Sequence, residues 1–265
     1  IFSSLTSEFG LEEFKDDASK KFSYGIFANG LFCKRNEPVG VFVTQEQKFD
    51  GKKFNLTKEC ELSFTSNLPK IPATILLNVI KFFQDIQTKF SSEVYISIYW
   101  DKVKKDYFLF VPKQEVSGAA VNFENDYEML NNPNIFIVAD IHSHSSFGAF
   151  FSSTDIKDEV ASRLFGVIGK VNTDNPELVF RASSNKQSID LQINDIFDGT
   201  IDSLQDDSDY SINTEEQLTK ITEIRIKKTY PIIKKGNAYN PNTIYADDYL
   251  EDYYQAHPYY DYGTK

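Results

Sequence analysis

Several residue types that usually signal chemistry are scarce in this chain: three His, two Cys, one Met and one Trp among 265 residues. No run of about 18 apolar residues occurs, so no helical membrane span is expected. The opening Ile1-Phe2-Ser3-Ser4-Leu5 has neither the basic region nor the apolar run of a secretory leader. A cytoplasmic protein without membrane contact is the expectation. Cys33 and Cys60 lack CxxC spacing, and in a reducing compartment they read as two buried thiols rather than a disulfide. Basic charge is in deficit too, with 28 Lys and Arg against 39 Asp and Glu and a formal charge of -11. With no basic stripe, such a surface repels phosphate backbones, and nucleic acid is not an expected partner.

The 41% hydrophobic content supports a sizeable core. Residues 1–70 read as a β-rich region. Tyr24–Ala28 and Leu31–Lys34 flank Asn29-Gly30, the dipeptide that best fits a tight hairpin turn, and a further strand is expected over Val39–Thr44. Asp16–Lys21 is polar and is placed ahead of the folded part. Pro72 starts a helical pattern in which Ile75, Val79, Phe82, Phe83, Ile86 and Phe90 share a face. Glu93–Trp100, Tyr107–Val111 and Ile135–Asp140 read as strands. A helix from Ser152 is expected to put Ile156, Val160, Ala161 and Leu164 on one face and to end near Gly166. Further strands are expected at Val167–Lys170, Leu178–Ala182 and Ile189–Ile193, closing a domain over 71–200. Residues 201–265 form an acidic extension with a short element near Leu218–Ile226. Its last 30 residues hold eight of the 15 tyrosines. With few aliphatics to bury, that segment is expected to be a flexible tail, with a docking peptide or an autoinhibitory lid as the other readings.

Two of the three histidines stand one residue apart. His142-Ser143-His144 is followed after seven residues by Ser152 and then Asp155. Residues two apart on a strand face the same way, so His142 and His144 project together, and Asp140 with them. A catalytic zinc site takes three protein ligands and keeps one position for water. His142, His144 and Asp155 supply three, with Asp155 in the first turn of a helix, where the dipole favours a carboxylate. Ser152 would donate to an oxyanion developing on a substrate carbonyl. The motif contains no free acid to act as general base. Among Glu93, Glu115, Glu124 and Glu128, Glu93 is preferred, because a carboxylate opening an apolar strand has little structural reason to be there and is desolvated towards a base's working range. Singly, each feature also has a plain explanation: Ser152-x-x-Asp155 is a helix capping box, and Glu93 can be an edge charge.

His142-Ser143-His144, Ser152 and Asp155 resemble the JAMM motif of the Mov34/MPN/PAD-1 (JAB-type) metalloproteases, with Glu93 matching that family's upstream Glu. Asn29-Gly30-Leu31-Phe32, Pro112-Lys113-Gln114 and Ala149–Glu159 look like its bacterial, plasmid-associated PRTRC-type members. The similarity covers roughly residues 22–185. Eukaryotic relatives usually carry Pro directly after the second His, where this chain has Ser145; that alters the loop and not the ligand set. The resemblance implies an α/β fold, a mixed β-sheet flanked by helices (MPN/JAB, cytidine-deaminase-like), with Zn2+ held at the sheet edge by His142, His144 and Asp155. It further implies hydrolysis of an isopeptide or peptide bond at a ubiquitin-like C-terminus, with Glu93 as general base, Ser152 supporting the tetrahedral intermediate, and an E1-like protein as partner. Competing readings are a non-catalytic MPN scaffold and an amidohydrolase of a small conjugate.

Overall fold

The computed structural model describes residues 9–15, 20–118, 120–199 and 214–224. The expected acidic tail lies outside them, apart from a short helix and strand. The chain through Glu223 packs as one compact unit. Its strands, in chain order, are β1 (Phe9–Leu11), β2 (Phe22–Phe27), β3 (Gly30–Asn36), β4 (Gly40–Lys48), β5 (Ser63–Ser66), β6 (Ile71–Pro72), β7 (Tyr95–Asp101) and β8 (Asp106–Phe110). They continue as β9 (Gln114–Ser117), β10 (Ala120–Phe123), β11 (Ile135–Ser143), β12 (Arg163–Gly169), β13 (Glu177–Ser184), β14 (Gln187–Leu191), β15 (Phe197–Asp198) and β16 (Ile221–Glu223). The α-helices are α1 (Ala73–Phe90), α2 (Tyr127–Leu130), α3 (Ser153–Asp158), α4 (Ile193–Ile196) and α5 (Thr214–Leu218). The fold is mixed α/β, mostly β. No helix among the described residues is long and apolar enough to cross a membrane.

A six-stranded sheet, β14-β13-β12-β11-β7-β8, forms the centre, and only its β11–β12 pair is parallel. Alternation gives this sheet two unlike faces. Ile96, Ile98, Trp100, Ile141, Leu164, Ile168, Phe180 and Ala182 share a core with Leu76, Val79, Phe82, Phe83 and Ile86 of α1. Burying each such side chain contributes about 1.5–3 kcal/mol. Leaving that face to the helix puts Tyr95, Ser97, Asp140, His142, Arg163 and Arg181 on the other. A five-stranded sheet, β1-β2-β3-β4-β5, a three-stranded one, β10-β9-β16, and the parallel pair β15-β6 complete the described part.

The structure departs from the sequence reading at definite places. The first hairpin turns on Ala28-Asn29, one residue early, with Gly30 already paired to Phe27. The reason is steric: a Cβ at Gly30 would stand 2.3 Å from the Gln47 carbonyl, and the residue has φ +146. Asn29 instead uses its side-chain amide to bond both Cys60 backbone groups. β1 pairs with β2, so folded chain precedes Asp16–Lys21. Pro72 caps α1 rather than beginning it. Cys33 is buried, whereas Cys60 is only half-buried. The stretch after Pro112, to which no element was assigned from the sequence, forms the β9–β10 hairpin followed by α2.

The largest correction is at Ser152. The helix there lasts six residues and stops at Asp158, and Leu164 and Gly166 belong to β12 instead. Ile156 and Val160 are exposed rather than core. The helix ends because Glu159 turns inward to Arg181 in β13, and because the chain must straighten at Arg163 to lie parallel to β11.

Candidate metal centre

The site forms where β11 ends beside its parallel neighbour β12. Carboxyl ends of parallel strands are where α/β sheets leave room for ligands. His142 is the penultimate residue of β11, and His144 follows it, its N–H donating to the Ile168 carbonyl at 2.9 Å. Ser145 then takes φ +50, and its hydroxyl donates to Gln87 Oε1 of α1 at 2.5 Å. A proline, fixed near φ of about −65°, cannot adopt that conformation. The loop then crosses Gly169 in backbone contact. A Cβ there would lie 2.3 Å from Ala149 N and 2.5 Å from Phe147 O. Lys170 N donates to Phe147 O at 2.6 Å, and Ala149 N to Glu177 Oε2 at 3.1 Å.

This path delivers Ser152 to the start of α3. Ser152 and Asp155 form the reciprocal capping box: Asp155 N donates to Ser152 Oγ at 3.2 Å and Ser152 N to Asp155 Oδ2 at 2.6 Å. The plain reading of that motif is therefore real, and it also fixes the carboxylate. As an acceptor in this bond, Ser152 keeps its O–H proton for donation.

His142, His144 and Asp155 converge, each offering a ligand atom within 4.8 Å of the others. His142 Nε2 lies 3.2 Å from His144 Nε2 and 3.4 Å from Asp155 Oδ1, while His144 Nε2 is 4.0 Å from Asp155 Oδ2. Donors at about 2.0–2.1 Å from a tetrahedral centre stand about 3.3 Å apart, so two of the three edges already have that length. His144 Nδ1 lies 3.2 Å from the Gly148 carbonyl. Donation to that oxygen puts the proton on Nδ1 and turns the Nε2 lone pair inward, as metal-binding imidazoles require. Burial pushes both imidazoles below their ordinary range, His142 to about 4, so both are neutral at physiological pH. Three donors, two of them neutral imidazoles, fit a divalent cation with one position left over.

Glu93 lies just outside β7, which begins at Tyr95 rather than at Glu93. Its place follows from register. Tyr95 pairs with His142, and Val94 N donates to Ser143 Oγ at 3.0 Å while Ser143 N donates to Val94 O at 2.9 Å. Glu93 is the next residue out, and its N–H donates to Ser117 O at 2.8 Å. Burial, helped by the negative charge of Asp155, raises its carboxyl to about 8. Glu115 lies exposed on β9, Glu128 sits in the first turn of α2, and Glu124 lines an open 310 Å³ cavity with Phe110, Lys113 and Tyr127. None of these three joins the cluster.

Asp140 does face the same way as His142, but it is engaged elsewhere: Tyr95 Oη donates to Oδ1 at 2.6 Å and Arg163 Nη1 to Oδ2 at 3.1 Å. Arg163, Arg181, Glu159 and Gly169 were not singled out from the sequence. Arg181 had a readable signal, a charge inside the apolar run Leu178-Val179-Phe180, the same logic that marks Glu93. No family model matches the chain, and no curated protein matches it.

Proposed function

We propose that the chain is a zinc-dependent hydrolase of amide bonds, working in the manner its JAMM-like motif implies. The observation that carries this reading is the triangle of His142, His144 and Asp155, with the buried Glu93 carboxyl near enough to feel the charge of Asp155. A zinc ion held by the triangle would supply Lewis acidity, lowering the pKa of a water and polarising a scissile carbonyl. Glu93 is set to take the proton from that water and pass it to the leaving amine. Ser152, fixed by its capping bond, would donate its O–H to the carbonyl oxygen.

The surroundings favour a peptidic substrate over a small polar conjugate. Phe147, Phe150 and Ile156, which flank the ligands in sequence, are 62%, 55% and 48% exposed, and Phe150 stands edge-on to His144 at 4.6 Å. Such an apolar rim suits an extended protein C-terminus joined by a peptide or isopeptide bond, as in a ubiquitin-like conjugate. An E1-like protein that activates such a substrate is the partner this proposal implies.

The test uses natively purified full-length chain, measuring metal content and then cleavage of ubiquitin-like fusions beside small amides. About one zinc per chain is expected. Glu93→Gln should retain the metal while losing about 10²–10⁴ in turnover. Absence of metal uptake refutes the proposal. Zinc without cleavage of any probe favours a non-catalytic scaffold, and cleavage of small amides alone favours the small-conjugate enzyme.

A further inference from the structure

We infer that Arg181 is the positioning residue that holds Ser152 and Asp155 against the histidine pair; the inference rests on the proposed metal site. The two histidines are secured by a β-strand and its continuation, but the third ligand is not. Asp155 belongs to a helix of six residues with no buried side chain, and so short a helix has little stability of its own. Something outside it must fix its position.

Arg181 grips the helix at both ends. The residue before the N-cap is Phe151, and the Arg181 guanidinium lies over its ring at 3.6 Å. The residue at the C-cap is Glu159, whose N–H donates to Asp155 O at 3.0 Å. Arg181 Nε donates to Glu159 Oε1 and Oε2 at 3.0 and 2.8 Å, and Nη2 to Oε1 at 2.5 Å. Arg181 and Glu159 are 6% and 4% exposed. A planar fork is needed to hold a carboxylate this way and stack on a ring together, which a lysine cannot reproduce. Arg181 is itself held to the histidine strand through the sheet: it pairs with Phe165, and Phe165 pairs with Asp140 of β11. The clamp thereby refers the helix that carries Asp155 to the strand that carries His142.

The test separates holding from folding. Removing one partner would strand a buried charge, so the informative variant is Arg181→Met with Glu159→Gln, which removes both charges and is expected to fold. Two readouts are taken: amide hydrogen exchange of the metal-free protein, and Zn2+ affinity by competition with a fluorescent chelator. The amides of Asp155, Ile156 and Glu159 should exchange at least about tenfold faster in the double variant, while those of β11 and β12 keep their rates. Zn2+ affinity should fall about 10–100-fold. Arg181→Lys, keeping charge but not the fork, should fall between parent and double variant in both readouts. Unchanged exchange in the helix, or acceleration by one factor across all strands, overturns the clamp. A parent protein that binds no Zn2+ would instead sink the proposed function, and the exchange comparison would still decide the clamp.

Discussion

Gly169→Ala tests whether the loop path creates the site. In the structure the added methyl would stand 2.3 Å from Ala149 N and Gly148 C and 2.5 Å from Phe147 O. These are backbone atoms, so no side-chain rotation can relieve the overlap, and the loop must lift by about 1 Å to reach ordinary contact. Lifting lengthens two bonds that meet there, Lys170 N to Phe147 O at 2.6 Å and His144 Nδ1 to Gly148 O at 3.2 Å. Two weakened hydrogen bonds and the strain together cost about 2–3 kcal/mol, which for a unit of this size lowers Tm by about 4–12 °C. The second bond orients a ligand, so Zn2+ affinity should drop about 10–100-fold as well. Gly118→Ala is the control, since its nearest contact would be Ser91 O at 3.7 Å. Calorimetry and chelator competition on both variants decide the matter. A Gly169→Ala protein that melts and binds like its parent refutes the idea that backbone contact at this strand end shapes the metal centre.

Two further tests address the loop and the titrating groups. Ser145→Pro should destabilise by about 2–3 kcal/mol in urea unfolding, because φ +50 is closed to proline, whereas Ser145→Gly, which keeps that φ and loses only the hydroxyl bond to Gln87, should cost about 0.5–1.5 kcal/mol; equal midpoints would contradict the loop geometry. In metal-free protein, Glu93 lies at about 8 against 4.5 unfolded, so its contribution is full below pH 4.5 and lost as pH rises through 8. His142, at about 4 against 6.5, runs oppositely: its contribution is present above pH 6.5 and lost as pH falls through 4, so the two offset each other between 4.5 and 6.5. Stability should therefore fall from pH 6.5 to 8 by about 1 kcal/mol per unit, and Glu93→Gln should flatten that slope in a Tm-versus-pH series; an unchanged slope would show that another group is responsible.

What could be read from the sequence was whatever depends on local pattern. The apolar face of α1 is visible because Val79, Phe82, Phe83 and Ile86 recur at helical spacing, and β11 because Ile135–Asp140 is unbroken. The convergence of His142, His144 and Asp155 was legible because the spacing itself constrains it: two residues on one strand face, then a loop and a capping box. Glu93 was reachable as an acid in an apolar run, but its approach to Asp155 depends on the contact of Val94 with Ser143, 49 residues away in the chain. The length of α3 was illegible for a different reason. Ile156, Val160, Ala161 and Leu164 carry a helical period, and periodicity cannot register that Glu159 is needed by Arg181 or that Leu164 is needed beside Ala139 in the sheet. Tertiary demand overrode local preference there. The residue that breaks the pattern, Glu159, is the partner of Arg181, so the shortness of α3 and the burial of Arg181 have one cause. A helix long enough to satisfy its own period would have carried Glu159 away from β13 and left Asp155 without its outer support.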